Sequence, residues 1–206
     1  MALSVTMTMA STLVAIVMTP LLTGWLAGVF IEIDRWSLFR EMVAIVLVPV
    51  VAGLLLNRYL PSVTRKVATV SPLVSVFVVV LIVAGIIAKS KDLIEAHFGV
   101  LLLAVFLLHV IGFALGYLLS RLLRLGEEDR RTISIEVGMQ NSGLGASLAS
   151  TPSFAAQFSS TMQAALAPVP SAISSVNHVV IGSILASYWQ RRSAKEVQPA
   201  DDAQAG

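Results

Sequence analysis

Ile135-Glu136-Val137-Gly138-Met139-Gln140-Asn141-Ser142-Gly143-Leu144-Gly145 decides how this chain is read, because it sets a carboxylate, two amides and three glycines inside an otherwise membrane-like segment. An ionisable side chain at bilayer depth costs about 2.5 kcal/mol or more unless something compensates it. The flanking glycines loosen the helix, so that backbone carbonyls can turn inward. Glu136 and Gln140 stand four residues apart and share a helical face, while Gly138 and Gly143 bracket a break. A carboxylate, an amide oxygen and freed carbonyls make a donor set suited to a small hard cation such as sodium. Asn141 and Ser142 add polar groups at the break. The small-residue run from Gly143 to Ala149 is suited to begin a half-helix whose positive end favours an anionic substrate group. Plainer readings stand beside these. Glu136 could lie one turn from the surface and pair with Arg130 or Arg131, Asn141 could make a helix–helix hydrogen bond, and the small-residue run could be ordinary packing.

Working outward, 56% of the 206 residues are hydrophobic and 13% are charged, which excludes a water-facing shell around a conventional core. The chain reads as all-α and integral to a membrane. Its net charge of +2 comes from cations lying between apolar runs, and no nucleic-acid signature accompanies them. The absence of cysteine removes disulfides and thiolate chemistry. Six spans satisfy the length of about 17 to 25 residues that a bilayer requires, at roughly 3–30, 39–57, 71–88, 99–123, 132–155 and 168–190. Together they make one transmembrane domain, 1–192, followed by a tail, 193–206, expected to be disordered and cytoplasmic. The stretches 89–98 and Asp34 to Arg40 are expected to be short interfacial helices. Arg58, Arg65, Lys66, Arg121, Arg124, Arg130, Arg131, Arg191, Arg192 and Lys195 fall on one face, against Arg35, Arg40, Lys89 and Lys91 on the other. The positive-inside rule makes the first face cytoplasmic and places both termini there. Trp36 and Trp189 lie where indoles anchor at headgroups. The apolar start at Met1-Ala2-Leu3, with no cation before Arg35, is expected of a C-terminal portion of a larger protein.

The first span is rich in hydroxyls, and Ser4, Thr8, Ser11 and Thr12 fall along one face that can line a polar cavity or offer oxygen ligands. The competing reading is helix packing, with each hydroxyl satisfied on a preceding carbonyl. His109 and His178, the latter beside Asn177, are expected to be neutral and hydrogen-bonded; neither has a carboxylate or second histidine at helical spacing, so neither is read as a metal ligand.

The string EVGMQNSGLG with Ala146-Ser147-Leu148-Ala149 resembles the signature of the bile acid:sodium symporter family. The opening ALSVTMTMASTLVAIVMTPLLT resembles that family's fifth helix, and Ala172 to His178 through Tyr188-Trp189 its tenth. The resemblance implies a ten-helix fold of two inverted five-helix repeats with core and panel domains. Residues 1–31 would be the last helix of the first repeat and 38–192 the second repeat, with spans two and three in the panel and four to six in the core. It also implies that Glu136 bridges two sodium ions, that Gln140 and the carbonyls of Val137 and Met139 complete one, and that Thr8 serves the other. The family commonly has a serine after that threonine, where this sequence has Met9, so the second site is expected to be weaker or differently built. Another departure is Asn177, which stands where the family often has an aromatic. Asn141, Ser142, Gly143, Ser4, Ser11, Thr12, Asn177 and His178 are placed in the substrate and crossover region.

The function expected is sodium-coupled symport of an organic anion across the bacterial inner membrane, with sodium, the anion and the bilayer as partners and no cofactor, catalytic residue or nucleic acid. Alternatives are a proton-coupled carrier or cation antiporter of similar fold, in which Glu136 titrates, and a non-transporting membrane fragment.

Overall fold

The computed structural model describes residues 2–202, with side chains to residue 192. Its regular elements among these residues are all helices, and five helices are long and apolar enough to cross a membrane: Ala2–Leu26, Arg35–Tyr59, Pro61–Lys89, Lys91–Leu122 and Thr161–Arg192. The fifth expected span, 132–155, is not one helix but two half-helices and a short turn, and the reason lies in its glycines and polar residues.

Helix α1 is Ala2–Leu26. The next begins at Arg35 because Asp34 caps it, its Oδ1 accepting from the amides of Trp36 and Ser37 at 3.0 and 3.1 Å. It runs as α2 (Arg35–Met42), a π-helical turn (Val43–Leu47) and α3 (Val48–Tyr59). Pro49 explains the turn. Its missing N–H and its ring dislodge the Ile45 carbonyl, and the amide of Val48 bonds Val43 one residue further back than an α-helix would. Leu60 precedes Pro61 and is driven out of the helical region to φ −131°, ψ 56°, which separates α3 from α4 (Pro61–Lys89). Ser90 separates α4 from α5 (Lys91–Leu122). The stretch 91–98 is therefore not an interfacial helix but the first turns of α5, which runs unbroken through Gly99 into the span. Likewise Arg35–Arg40 opens a long helix, with Leu38 and Met42 buried on its inner face.

After α5 the chain turns through Arg124, the one described non-glycine residue with positive φ, 59°. Helix α6 (Glu127–Gly138) starts with three acidic residues that complement its dipole. The break Met139–Asn141 follows, then α7 (Ser142–Ala149), α8 (Pro152–Ala155), α9 (Thr161–Leu166) and α10 (Val169–Asp202). The tail expected to be disordered begins inside α10; its side chains, and residues 203–206 altogether, lie outside the described residues. Twelve residues of α6 advance about 18 Å, so the break lies near mid-depth between the two ends of the bundle.

The turn after α1, the Ser90 turn and the α8–α9 region share one end. Asp34 N–H donates to Gln157 at 3.1 Å, Ser153 to Glu41 at 2.7 Å, and Ser90 to the Ala165 carbonyl at 3.2 Å. Ile16, Leu38, Met42, Val46 and Leu148 form a buried cluster joining α1, α2, the π turn and α7. Helix α4 contributes no buried residue, and Leu73, Val76, Phe77 and Val80 on it face outward, as a lipid-facing surface requires.

At the opposite end Tyr117 donates to both oxygens of Glu127 at 3.1 and 3.0 Å, Arg131 Nε lies 2.9 Å from one, and Arg130 pairs at 3.6 Å. Slight burial raises the Glu127 carboxyl, but hydrogen bonds from Arg131 and Tyr117 and the charges of Arg131 and Arg130 outweigh it and hold the group below the usual glutamate range. A depressed carboxylate contributes stability above its unfolded value and loses it as pH falls through the folded one. Melting in detergent should therefore drop as pH falls below about 4, and Glu127→Gln should shallow that acid limb slightly, since the group is exposed. An acid limb of unchanged depth would refute the contribution.

Candidate functional site: the broken helix and its facing hydroxyls

Glu136 projects from the last turn of α6 toward α1. Its Oε1 accepts a hydrogen bond from Ser4, and its Oε2 accepts from Thr8 Oγ1 at 2.8 Å. Residues four apart on α1 thus face one carboxylate, as the helical period dictates. The Thr8 hydroxyl also lies 3.0 Å from the Ser4 carbonyl, so its single hydrogen is shared. None of the ion pairs among the described residues includes Glu136; Arg130 and Arg131 lie on Glu127. Neutral hydroxyls cover part of the acceptor capacity of this half-buried carboxyl group.

Beyond it opens a cavity of about 540 Å³ lined by Thr8, Ser11, Thr12, Ala15, Ile135, Glu136, Met139, Gln140, Asn141 and Leu144. Seven residues singled out in the sequence thus share one cavity: Thr8, Ser11, Thr12, Glu136, Met139, Gln140 and Asn141. Ser11 and Thr12 donate back to the Thr8 carbonyl at 3.1 and 2.7 Å, which leaves their oxygens as acceptors only. Gln140 Nε2 donates to the Val137 carbonyl at 3.1 Å, and Val137 itself does not line the cavity. Asn141 is the N-cap of α7, its Oδ1 accepting from Leu144 N–H at 3.1 Å. Met9, beside Thr8, is 63% exposed and does not line the cavity.

A second cavity, about 340 Å³, adjoins the first through Thr12, Asn141 and Leu144, and is otherwise apolar: Ile45, Val46, Pro49, Val50, Val79, Ile82 and Val83 face Gly143 and Ser147 of α7. The remaining residues lie elsewhere. Ser142 and His178 are buried and bond each other at 3.3 Å. Asn177 donates to the Ile173 carbonyl of its own helix at 3.4 Å and joins neither cavity.

A family model for SBF-like CPA transporters matches residues 1–191. The chain belongs to that family. This is the bile acid:sodium symporter kinship that the motif EVGMQNSGLG pointed to. The chain is 42% identical over 98% of its length to the probable chloroplastic sodium/metabolite cotransporter BASS2 of Oryza sativa subsp. japonica, covering 45% of that protein. It is also 42% identical over 96% of its length to the probable chloroplastic sodium/metabolite cotransporter BASS1 of Arabidopsis thaliana, covering 47%. To the sodium-dependent transporter YocS of Bacillus subtilis it is 41% identical over 95% of its length, covering 58%. The chain thus spans about half the length of the curated relatives it matches. Those relatives are transporters, not enzymes, and their kinship with the apolar helices makes this a multi-pass membrane protein.

Two features of this SBF-like transporter chain were not among the sequence-based expectations. Gly112 and Gly116 of α5 let α6 approach closely: a Cβ on Gly116 would lie 3.0 Å from the Ile133 carbonyl and the Ser134 Cα. Their four-residue spacing is the small-xxx-small signal of close helix packing and was available in the sequence. The other is a buried polar cluster of His109, Ser142, Ser174 and His178, whose members come from three helices, so that only the i, i+4 pair Ser174 and His178 is linked by spacing.

Proposed function

We propose that this chain carries the cation-binding half of a sodium-coupled symporter for an organic anion, in the bacterial inner membrane, with both termini cytoplasmic. The observation that carries the reading is Glu136, paired with no cation among the described residues and held by Ser4 and Thr8 beside the broken helix. Sodium takes the place of the missing positive charge. Glu136, Thr8, Gln140 and the Met139 carbonyl supply oxygens to it, and Val137 supplies its carbonyl once the Gln140 amide turns away. The relatives' names, sodium/metabolite cotransporter and sodium-dependent transporter, support sodium as the coupling ion.

The substrate lies in the adjoining apolar cavity, its hydrocarbon against Ile45, Val46, Val79 and Val83 and its anionic group toward the start of α7. Ser142, Leu144 and Gly145 amides are already bonded there, to Gln140, Asn141 and Asn141, which leaves the Gly143 amide for the anion. The two cavities share a wall, so sodium that orders Met139–Asn141 also shapes the substrate site, which couples the two ligands. Helices α3 and α4 act as the panel and α5, α6, α7 and α10 as the core, the second repeat of a ten-helix inverted-repeat carrier. Taken together, α6 and α7 make a sixth crossing beside the five long helices, in keeping with the shared end of the α1, α4 and α8–α9 turns.

The test is thermal unfolding of the purified chain in detergent, titrated with sodium against potassium. Sodium is expected to raise the melting temperature saturably and potassium is not. Thr8→Val should raise the sodium midpoint about tenfold, the loss expected from one charge-assisted contact. A melting curve indifferent to sodium would count against the reading.

A further inference from the structure

On α5, α7 and α10 lies a polar cluster that the proposed ions and substrate do not use. His109 has no exposed surface. Its Nδ1 is 2.9 Å from the carbonyl of Gly138, the last residue of α6, and its Nε2 is 2.7 Å from Ser174 Oγ on α10. Ser174 Oγ is 2.8 Å from Ser142 Oγ, the first residue of α7, and Ser142 Oγ is 3.3 Å from His178 Nδ1. The two imidazole rings meet edge to face at 5.3 Å.

Hydrogen-bond chemistry orders this chain from one end. The Gly138 carbonyl can only accept, so the proton of a neutral His109 ring is on Nδ1. Nε2 then offers a lone pair, and Ser174 donates to it. The Ser174 oxygen accepts from Ser142, whose oxygen accepts from His178 Nδ1–H. One carbonyl thus sets the direction of four hydrogen bonds, and no buried side-chain nitrogen or oxygen among the described residues is left unpartnered.

The first three bonds of this chain run from one end of the break to the other. Gly138 closes α6 and Ser142 opens α7, and between them Met139, Gln140 and Asn141 line the cavity with Glu136. A non-helical stretch lacks its own ladder, so its geometry is set by whatever pins its ends. We propose that His109 is a positioning residue for the break: from α5, and through Ser174, it fixes α6 against α7 and so holds the intervening residues in register. Its consequence for cation binding rests on the sodium reading above.

Side-chain reach separates this role from mere packing. Asparagine places an amide N–H near the position of Nδ1, whereas glutamine places its amide near Nε2. His109→Asn should therefore retain the bond to Gly138, His109→Gln should lose it, and His109→Leu should leave the Gly138 carbonyl unpartnered and Ser174 with Ser142 alone. Hydrogen exchange of the purified chain in detergent, followed by mass spectrometry, is measured first without sodium. We expect peptides covering Met139 to Leu144 to exchange about tenfold faster in His109→Leu and His109→Gln, the size set by one buried hydrogen bond. His109→Asn should restore most of the protection, α4 peptides should be unchanged, and Ser174→Ala, which keeps the Gly138 bond, should give a smaller rise at the same peptides. Unchanged exchange at the break, or acceleration spread equally into α4, would overturn the proposal, as would glutamine rescuing better than asparagine. Repeating the exchange with sodium tests the other reading by itself: a break that sodium does not protect in the unmodified chain refutes the sodium site, while the sodium-free comparison still decides the role of His109.

Discussion

Glu136→Gln should move the sodium-specific rise in melting temperature to about 100-fold higher sodium while leaving the sodium-free chain as stable as before, or more so. Glutamine keeps the length of the side chain and one carbonyl oxygen, so either Ser4 or Thr8 retains an acceptor. What it removes is the charge. Without a cation, that charge is a half-buried anion compensated only by hydroxyls, and deleting such a charge is neutral or stabilising. With a cation it is the strongest ligand, and its loss should weaken sodium by about 100-fold, or roughly 2.7 kcal/mol. The two melting curves therefore cross: the variant is at least as stable in potassium and the unmodified chain is more stable in saturating sodium, where the ion contributes about RT ln(1 + [Na]/Kd). The experiment is a sodium titration of both proteins in one detergent at constant ionic strength. A glutamine variant that still responds to sodium with an unshifted midpoint would remove Glu136 from the site.

The crossing also separates a binding carboxylate from a structural one. Were Glu136 chiefly a tether between α6 and α1, its replacement would lower melting in potassium as well. Ser4 and Thr8 are each donors to it, and a tether's loss falls on the apo protein, whereas a ligand's loss falls on the sodium-bound one.

Much of this was open to a reading of residue types, and the reason is energetic. Glutamate, glutamine and three glycines are expensive in a membrane span, so a break could be placed between Gly138 and Gly143, and it falls at Met139–Asn141. The shared face of Ser4 and Thr8 follows from a period of 3.6 residues. That Glu136 stands opposite them does not, because the register of one helix against another is set by packing and not by either helix's own period. The same limit hid the contacts of His109 and Ser174, 65 residues apart; each histidine could be expected to be hydrogen-bonded, but not to which partner. Elsewhere the polarity of short stretches misled. Lys91 to His97 looked interfacial, yet the helix continues through Gly99, since a lone glycine weakens a helix without ending it. The π turn before Pro49 was not among the expectations, because the form a proline's distortion takes depends on how the freed carbonyl is accommodated.

The second large effect is expected at Gly116, where the α5–α6 contact admits no side chain. A Cβ there would meet the Ile133 carbonyl and the Ser134 Cα at 3.0 Å, and the Val137 Cβ at the same distance. Two of those three are backbone atoms of a helix, which cannot rotate aside as a flexible side chain would. Gly116→Val should therefore push α6 away from α5 and cost about 1–3 kcal/mol in stability. The displacement also pulls on the buried bond from Ser134 Oγ to the Phe113 carbonyl, 2.7 Å, and on that from His109 to Gly138, 2.9 Å, one helical turn further along. A comparison fixes the cause. Gly99, on the same helix, faces open space, and a Cβ there would have nothing within 4 Å, so Gly99→Val should leave melting nearly unchanged. Melting of the two variants in sodium-free detergent provides the measurement. Equal melting temperatures would mean that the helices separate without cost and that close α5–α6 approach is not what holds the broken helix in place. A loss confined to Gly116→Val, with the sodium midpoint raised as well, would show that the approach of two backbones positions the break.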